Sequence, residues 1–346
     1  MIHRSWPRRH LAGASFSWFH RRIAPIAESM IEGVPAEASD QPLISAQSWV
    51  APGTRSIRTA KGVVADYLSL TKPGVMSLLL VTEFLAMVTA ARGFPGWGLS
   101  MAAIAGGALA SGGASAINCW FDRDIDAVMG RTRNRPVPAG RISASRAISF
   151  GVVLSATAFL TFFFLVNPLA AVLSLAGGAF YVFIYTFWLK RATKENIVIG
   201  GAAGAVPPLV GWAAVTHSVG LVGVALFVLV FLWTPPHFWA LSLILKRDYQ
   251  AVAVPMRPVV VGVRRTKTAI VGYAALMTLA SCSLAIWLGP AQLIVSLGLG
   301  LPFMLLSVGV LMEREGTGRA RLLFLFSIAY LFLFFLGTAL VAVIAH

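Results

Sequence analysis

Long apolar runs recur along this 346-residue chain from about Pro73 to its C-terminus. A helix needs roughly 20 predominantly apolar residues to cross a hydrocarbon core about 30 Å thick. Nine runs reach that length, so the sequence predicts an all-α polytopic membrane protein with nine transmembrane helices. The predicted spans are 74–92, 97–118, 145–166, 168–189, 197–216, 219–243, 267–288, 291–312 and 321–344.

The positions of the basic residues predict how these spans are oriented. The net charge is +15, although only 12% of the residues are charged. Every Lys and Arg except Arg92 lies in the N-terminal segment or near the loops that follow spans two, four, six and eight. Cytoplasmic loops retain positive charge, so we expect a cytoplasmic N-terminus and an outward C-terminus. The charge is therefore an orientation signal, and a nucleic-acid partner is not expected.

The first 62 residues have no span and are predicted to be a basic, disordered tail, with the membrane domain occupying 63–346. The tail has no acidic residue before Glu28 and is rich in Arg, Ser and Ala, which partly fits a transit peptide for the mitochondrial inner membrane. A basic tail on the inner face of a bacterial plasma membrane is the favoured alternative.

Acidic residues concentrate after the second span, where Asp122, Asp124 and Asp126 lie within five positions. If the helix continues, Asn118, Asp122 and Asp126 fall on successive turns of one face. Carboxylates so close together repel one another unless a cation separates them, and Mg²⁺ takes carboxylate, water and phosphate oxygens. The arginines that follow are suited to phosphate oxygens. The alternative is a solvated loop whose acidic and basic residues balance.

Two further loops on the same side carry candidate residues. Span four ends with Tyr185 and, at the boundary, Lys190 and Arg191, which are also typical of an interfacial anchor. Span six contains His237 beside two prolines, and a buried ionisable group at that depth is a functional candidate. The alternative for His237 is a neutral histidine bonded to a neighbouring helix. Asp248 offers a second metal carboxylate, or a simple pair with Arg247.

Five separated blocks of the sequence resemble the UbiA-type intramembrane prenyltransferases, and most closely the branch that farnesylates heme. The resemblance covers about residues 64–344. The blocks are Asp122-Arg-Asp-Ile-Asp126, Arg131-Thr-Arg-Asn-Arg135, Tyr185-Thr through Lys190-Arg-Ala-Thr193, the span with Gly211-Trp-Ala-Ala214, and Thr234-Pro-Pro-His-Phe-Trp-Ala240. The resemblance implies nine helices around a central cavity.

The resemblance also implies an Mg²⁺-dependent transfer of the farnesyl group of farnesyl diphosphate to a vinyl group of heme b. Water adds to give heme O, with a heme A synthase or terminal oxidase assembly as a downstream partner. The expected catalytic residues are Asn118, Asp122, Asp126, Tyr185 and Lys190; the metal ligands Asp122, Asp126 and Asp248; the diphosphate ligands Arg123, Arg131, Arg135, Lys190, Arg191, Lys246 and Arg247; and the heme-binding residues His237 and Trp239.

The chain departs from the family pattern in the loop after span six. Val252 stands where a second acidic residue would follow Asp248, and Ala253 and Arg257 interrupt the expected Ala-Gly-Val-Pro-Met-Leu-Pro run. These changes predict an altered loop conformation. Two other functions stay open at this point: a prenyltransferase of the same fold acting on an aromatic quinone or chlorophyll precursor, and a transporter. Transporters usually place coupling charges near the midplane, whereas these acids lie at one interface.

Overall fold

A computed structural model describes residues 59–345 of the chain. Over that range it is all-helical, and nine helices are long and apolar enough to cross a membrane, which confirms the predicted fold class and span count. We call them spans 1 to 9. They are Pro73–Ala91, Trp97–Phe121, Ala144–Leu165, Pro168–Ala192, Asn196–Thr216, Leu221–Ile244, Val263–Leu288, Ala291–Met312 and Gly318–Ile344.

Spans 2, 4, 7 and 9 extend three or four residues beyond the predicted runs, and the bounds of the other five agree with the predictions within two residues. Span 7 begins at Val263 and includes Arg264 and Arg265, because the backbone stays helical after the side chains become polar. Of the predicted tail, residues 1–58 lie outside the described residues. A short helix, Ala60–Leu70, precedes span 1 and crosses the boundary predicted at residue 62.

Spans 1, 5, 6 and 9 pack against one another and form the inner group of the bundle. Spans 2, 3 and 4 pack as one flank against spans 1 and 5, and spans 7 and 8 pack as the other flank against spans 6 and 9. Each span also packs against the next one along the chain. Because consecutive spans alternate in direction, spans 2, 4, 6 and 8 end on the same side of the membrane. We call that side the basic face.

Glycines allow the backbones of the inner group and the first flank to approach closely, as small residues do in membrane helices. A Cβ at Gly211 of span 5 would lie 2.1 Å from the carbonyl oxygen of Glu83 in span 1. A Cβ at Gly113 of span 2 or at Gly151 of span 3 would lie 2.8 Å from the carbonyl oxygen of the other glycine. These contacts fix span 5 against span 1, and they fix span 2, which carries the acidic motif, against span 3.

Candidate active site

The first acidic motif lies where span 2 gives way to the short helix Arg123–Val128. The Asp122 N–H donates to the Asn118 carbonyl oxygen at 2.9 Å, and the Asp126 N–H donates to the Asp122 carbonyl oxygen at 2.8 Å. The i to i−4 bonding therefore continues through the junction and places these three residues on successive turns. Their side chains are 4%, 1% and 3% exposed, so the motif is not a solvated loop.

Span 4 places its polar residues against this motif through a wide helical segment, Phe180–Leu189, which has π-helical bonding. Such segments are frequent at functional sites because they change which residues share a face. The Lys190 ammonium forms an ion pair with Asp122 Oδ2. Thr186 Oγ1 accepts a bond of 3.3 Å from Asn118 Nδ2, and that same amide donates to Asp122 Oδ2 at 2.6 Å.

Tyr185 lies in the same segment and packs against span 5. A Cβ at Gly200 would lie 2.2 Å from the Tyr185 ring, so only glycine at that position leaves room for the tyrosine. The Tyr181 ring stacks on Tyr185 with 5.5 Å between ring centroids. The predicted residues Tyr185 and Lys190 thus occupy one segment, with the ammonium on the carboxylate motif and the ring between spans 4 and 5.

Lys72 joins the cluster from the start of span 1, and the sequence analysis did not identify it. Its backbone is left-handed, with φ of 52°, and Pro73 follows as the first helical residue. The Lys72 Nζ donates to Asn118 Oδ1 at 2.7 Å. Burial lowers the pKa of Lys72 below its usual value of 10.5. A Lys-Pro pair at the N-terminus of an apolar run was the available signal, since proline favours the first turn of a helix.

Arg191 binds the exposed edge of the motif. It donates to both oxygens of Asp124 at 2.7 Å, and this hydrogen bonding lowers the pKa of Asp124 to about 2. Its Nη2 atom also lies 3.5 Å from Asp122 Oδ1, and its guanidinium lies 4.8 Å from the centre of the Phe121 ring. Arg191 therefore bridges the buried and the exposed carboxylates of one motif.

The loop after span 2 returns arginines to the carboxylate at the end of the motif. Arg135 Nη1 donates to Asp126 Oδ2 at 2.7 Å, and Thr132 Oγ1 donates to the Asp126 carbonyl oxygen at 3.0 Å. Arg131 Nε is buried and makes no hydrogen bond to any residue that the structure describes. Burial lowers the pKa of Arg131, while the negative charges of Asp126 and Asp248 act in the opposite direction.

Arg131 therefore lies within electrostatic range of both Asp126 and Asp248. Asp248 is half-buried on the short helix Lys246–Ala251, beside half-buried Lys246 and exposed Arg247. Tyr249 on the same helix is buried and also interacts electrostatically with Arg131. The segment that follows span 6 thus lies next to the arginines of the segment that follows span 2.

The carboxylates nevertheless do not form a ready-made metal cage. Within residues 59–345 no group of three His, Cys, Asp or Glu side chains is placed to hold a metal ion. A Mg²⁺ site needs only one or two carboxylates, because waters and substrate phosphates supply the other oxygens. Asp122 Oδ1 is buried and accepts no hydrogen bond from the described part of the chain, so an acceptor is available there. The donor set fits Mg²⁺ that arrives with a diphosphate.

Three predicted site residues lie away from this cluster. Arg123 is exposed and donates to the carbonyl oxygen of Trp120 at 2.8 Å. His237 stacks between Trp233 and Phe324, with ring centroids 4.3 and 4.7 Å away. Trp239 is fully buried and packs edge-on against Tyr273 of span 7.

His237 is hydrogen-bonded to a neighbouring helix. Its Nδ1 lies 2.6 Å from Ser327 Oγ of span 9, and that hydroxyl oxygen also lies 2.6 Å from the Phe324 carbonyl oxygen. The contact with Ser327 occupies Nδ1, so Nε2 is the other ring nitrogen that a ligand could use. His237 thus connects span 6 to span 9. This contact agrees with the alternative in which the histidine is bonded to a neighbouring helix.

The two unusual residues after span six have defined roles in the structure. Ala253 adopts a left-handed backbone with φ of 53°, a conformation that favours glycine. Arg257 Nη1 lies 3.2 and 3.3 Å from the two oxygens of Glu195, the residue before span 5. The Arg257 guanidinium also lies 4.8 Å from the centre of the Trp239 ring. The loop after span 6 is therefore tied to the loop after span 4.

The model of the UbiA prenyltransferase family matches residues 79–336, which include the first acidic motif, Asp248 and the arginines between them. The chain belongs to this family. A protoheme IX farnesyltransferase from Symbiobacterium thermophilum is 53% identical over 73% of this chain and 85% of its own length. A protoheme IX farnesyltransferase from Chloroflexus aurantiacus is 51% identical over 73% of this chain and 43% of its own length.

The same fold occurs in a solved UbiA homolog from Archaeoglobus fulgidus, bound to DMAPP and Mg²⁺. That structure matches with a TM-score of 0.65 at 15% sequence identity, covering 81% of this chain and 100% of the other. The helical arrangement is thus that of the family, and the chain is a multi-pass membrane protein.

Proposed function

We propose that the protein transfers the farnesyl group of farnesyl diphosphate to a vinyl group of heme b, and that water addition then gives heme O. The observation that carries this proposal is the set of ion pairs between buried carboxylates and basic side chains at the basic face. The main pairs are Asp122–Lys190 and Asp126–Arg135. The names of the two relatives at 51% and 53% identity support heme as the acceptor.

The carboxylates and cations of these ion pairs can exchange their present partners for Mg²⁺ and for phosphate oxygens when substrate binds. Each buried carboxylate is already matched by a cation, so an entering diphosphate alone would meet carboxylates of its own sign. A diphosphate that brings Mg²⁺ lets the carboxylates turn to the metal and releases Lys190, Arg135 and Arg191 to the phosphate oxygens. Charge pairing is conserved before and after binding, which lowers the cost of keeping these groups buried.

We infer that Asp122 and Asp126 would hold Mg²⁺ together with the diphosphate, with Asp248 completing the site from the facing loop. The bound ion would act as a Lewis acid that stabilises negative charge on the departing diphosphate. Mg²⁺ in the Archaeoglobus fulgidus homolog supports this assignment. Asn118, held by Lys72 and Thr186, fixes the rotamer of Asp122 through its own hydrogen bond.

The chain's own cations favour rupture of the carbon–oxygen bond of farnesyl diphosphate. Lys190, Arg191, Arg135 and Arg131 are positioned before the reaction, so they stabilise the developing diphosphate charge without a reorganisation cost. The vinyl carbon of heme then forms the new carbon–carbon bond. Water captures the resulting cation on the porphyrin side chain, and a proton is lost. The aromatic rings of Trp120, Phe121 and Phe187 pack together beside the motif and help exclude water until that bond has formed.

His237 and Trp239 stay proposed heme-binding residues. The ring nitrogen Nε2 of His237 is the group on which this assignment depends, since Nδ1 is hydrogen-bonded with Ser327. Replacing His237 by Ala is expected to weaken heme binding while farnesyl diphosphate binding persists. Unchanged heme affinity would leave His237 with its packing role between spans 6 and 9.

A single incubation tests the proposed reaction. Purified protein in detergent is mixed with Mg²⁺, heme b and farnesyl diphosphate, and the heme fraction is analysed by mass spectrometry. We expect a heme whose mass has increased by a farnesyl group plus one hydroxyl, and a rate of product formation by Asp122→Asn that is lower by about 100-fold or more. An aromatic quinone or chlorophyll precursor in a parallel tube tests the other acceptor class; prenylation of that compound alone would overturn the proposal.

A transporter is the candidate from another class. Uptake of heme or of a prenyl diphosphate into proteoliposomes, without a farnesylated product in the heme assay, would favour a transporter.

We propose that the protein lies in a bacterial plasma membrane with its basic face in the cytoplasm, where the diphosphate is available, rather than in the mitochondrial inner membrane. Heme O would pass to a heme A synthase or to a terminal oxidase in assembly.

A further inference from the structure

A crevice on the outside of the first flank lies at the basic face, between the short helix Ala60–Leu70 and the beginning of span 3. It consists of a cavity of about 170 Å³ and a more open one of about 540 Å³. Tyr67 and Arg146 line both cavities, so the two are continuous. We call this the span 3 crevice. It is built by residues outside the acidic motifs and plays no part in the proposed reaction.

The span 3 crevice has a polar end and an apolar end. Arg146 and the hydroxyls of Ser145 and Ser149 lie at the polar end, and all three residues are exposed. Phe150 and Val153 continue along span 3 toward the membrane interior, and Val153 is 61% exposed. The helical rise is 1.5 Å per residue, so the chain from Arg146 to Val153 spans about 10 Å. A ligand that fits both ends has a polar head and an apolar tail.

The basic residues that line the crevice favour an anionic head. Two arginines and one aspartate line the smaller cavity, and Arg141 Nε binds Asp66 Oδ1 at 2.8 Å. Arg141 also donates to the carbonyl oxygen of Asn134 at 2.9 Å. The Arg146 side chain is exposed, and among residues 59–345 its guanidinium has no hydrogen-bond or ion-pair partner. Arg146 therefore presents a positive charge to both cavities of the crevice.

The helix that forms the other wall is itself suited to the membrane surface. Its residues Val64 and Leu68 lie one turn apart, and each is 57% exposed. Exposed apolar residues on one face of a short helix indicate that it lies in the interface of the bilayer. Its inner side carries Tyr67, whose ring packs edge-on against Phe150 at 4.9 Å. The crevice thus opens where phospholipid headgroups of the leaflet at the basic face are found.

We propose that the span 3 crevice binds one anionic phospholipid, with its phosphate on Arg146, Ser145 and Ser149 and an acyl chain along Phe150 and Val153. Basic pockets between transmembrane helices recognise such headgroups. The occupant is a lipid rather than free phosphate because the cavity continues onto an exposed apolar surface. Bound there, the lipid would join the interfacial helix to span 3 beside the Asp66–Arg141 pair, which supports the loop that carries Arg135.

Lipid binding can be measured independently of any enzyme activity. Detergent-purified, delipidated protein is titrated with phosphatidylglycerol, and the first bound lipid is quantified by native mass spectrometry. We expect Arg146→Gln to weaken that first binding step about fivefold, the effect of one basic residue near a charged headgroup. Ser149→Asp, which places a negative charge at an exposed position, is expected to weaken it at least as much.

Arg265→Gln is the matched control. Arg265 is also exposed and is also the third residue of a span that begins on the basic face, but it does not line the crevice. Its replacement should change the first binding step less than twofold, and phosphatidylcholine should bind the wild type about as weakly as phosphatidylglycerol binds Arg146→Gln. Equal losses in the two arginine variants, or equal binding of the two lipids, would overturn the proposal. Displacement of the lipid by inorganic phosphate at low millimolar concentration would likewise overturn it, because the headgroup anion alone would then be the ligand.

Discussion

Lys190 of span 4 and Asp122 at the end of span 2 form an ion pair in which the carboxylate is 1% exposed and the lysine side chain 16%. The pair connects two helices that meet at the basic face, and each partner has a proposed role with substrate. A buried charge destabilises the protein when its partner is removed. In the absence of substrate, each residue therefore neutralises the buried charge of the other.

This pairing predicts strongly non-additive mutations. Asp122→Asn and Lys190→Gln should each lower kcat/KM for farnesyl diphosphate by about 10²–10³-fold, the usual effect of removing one preorganised electrostatic group. The kcat/KM of the double variant should be no more than about tenfold below that of the less active single variant, because both residues act on the same diphosphate. Steady-state kinetics of the three variants provide the measurement.

A nearby control separates this effect from general loss of charge. Arg123 lies on the same short segment but is exposed and bonded to its own backbone neighbour. Arg123→Gln should retain kcat/KM within about threefold, as an exposed charge in high dielectric contributes little. If the Asp122 and Lys190 effects multiplied independently, the two residues would not share one site.

The bridge between Arg257 and Glu195 leads to a prediction about stability. Arg257→Leu removes a partly exposed ion pair and the contact over Trp239, which together contribute about 1 kcal/mol. Thermal unfolding in detergent should therefore shift to lower temperature by a small but measurable amount. Glu195→Gln should give a smaller shift, because the contact with Trp239 remains. A larger loss from Glu195→Gln would mean that the arginine is held mainly by charge.

The sequence was sufficient for the fold because a membrane span is a local property. About 20 apolar residues specify a membrane helix without reference to the rest of the chain. The spacing of Asn118, Asp122 and Asp126 was equally local, since it needed only the helical repeat. The arrangement of the nine spans into an inner group and two flanks depends on glycine contacts between distant segments, such as Gly211 with Glu83.

Residues whose role depends on a distant partner were harder to predict. Lys72 and Thr186 reach Asn118 from spans 1 and 4, and the π-helical bonding that places Thr186 has no clear signature in an aromatic-rich run. Arg257 was recognised as unusual, but its partner Glu195 precedes a different span. For His237 the sequence left two interpretations, and the contact with Ser327 depends on how span 9 packs.

Close backbone contact between spans 1 and 5 predicts that Gly211 cannot be replaced. An added Cβ would meet a backbone carbonyl oxygen, which cannot rotate away, so Gly211→Ala should destabilise the protein by about 1–3 kcal/mol. Gly204 lies in the same span, but a Cβ there would have no neighbour within 4 Å outside the backbone of its own helix. Gly204→Ala should therefore be neutral or stabilising by up to about 1 kcal/mol. Thermal unfolding of the two variants in detergent makes the comparison, and similar midpoints would contradict the close approach.

Lys72 predicts how the activity depends on alkaline pH. Burial lowers its pKa below 10.5, with the Arg135 charge acting in the same direction and the charges of Asp126 and Asp122 opposing it. As pH rises through the folded pKa, the ammonium loses its charge beside the site, and turnover should fall earlier than an ordinary lysine would allow. Lys72→Arg keeps its charge, so the alkaline decline of kcat/KM should move to higher pH.

Deprotonation of Lys72 does not lower kcat/KM at alkaline pH by unfolding the protein. The unfolded chain keeps the lysine proton up to about pH 10.5, whereas the folded chain releases it earlier, so between those values the contribution of Lys72 to stability rises with pH. Activity and this contribution to stability should therefore change in opposite directions, which parallel pH profiles of kcat/KM and thermal midpoint can detect. Lys61→Arg, at an exposed position on the interfacial helix, should leave the pH profile of the wild type unchanged. An alkaline limb that is the same in wild type and Lys72→Arg would assign the decline to another group.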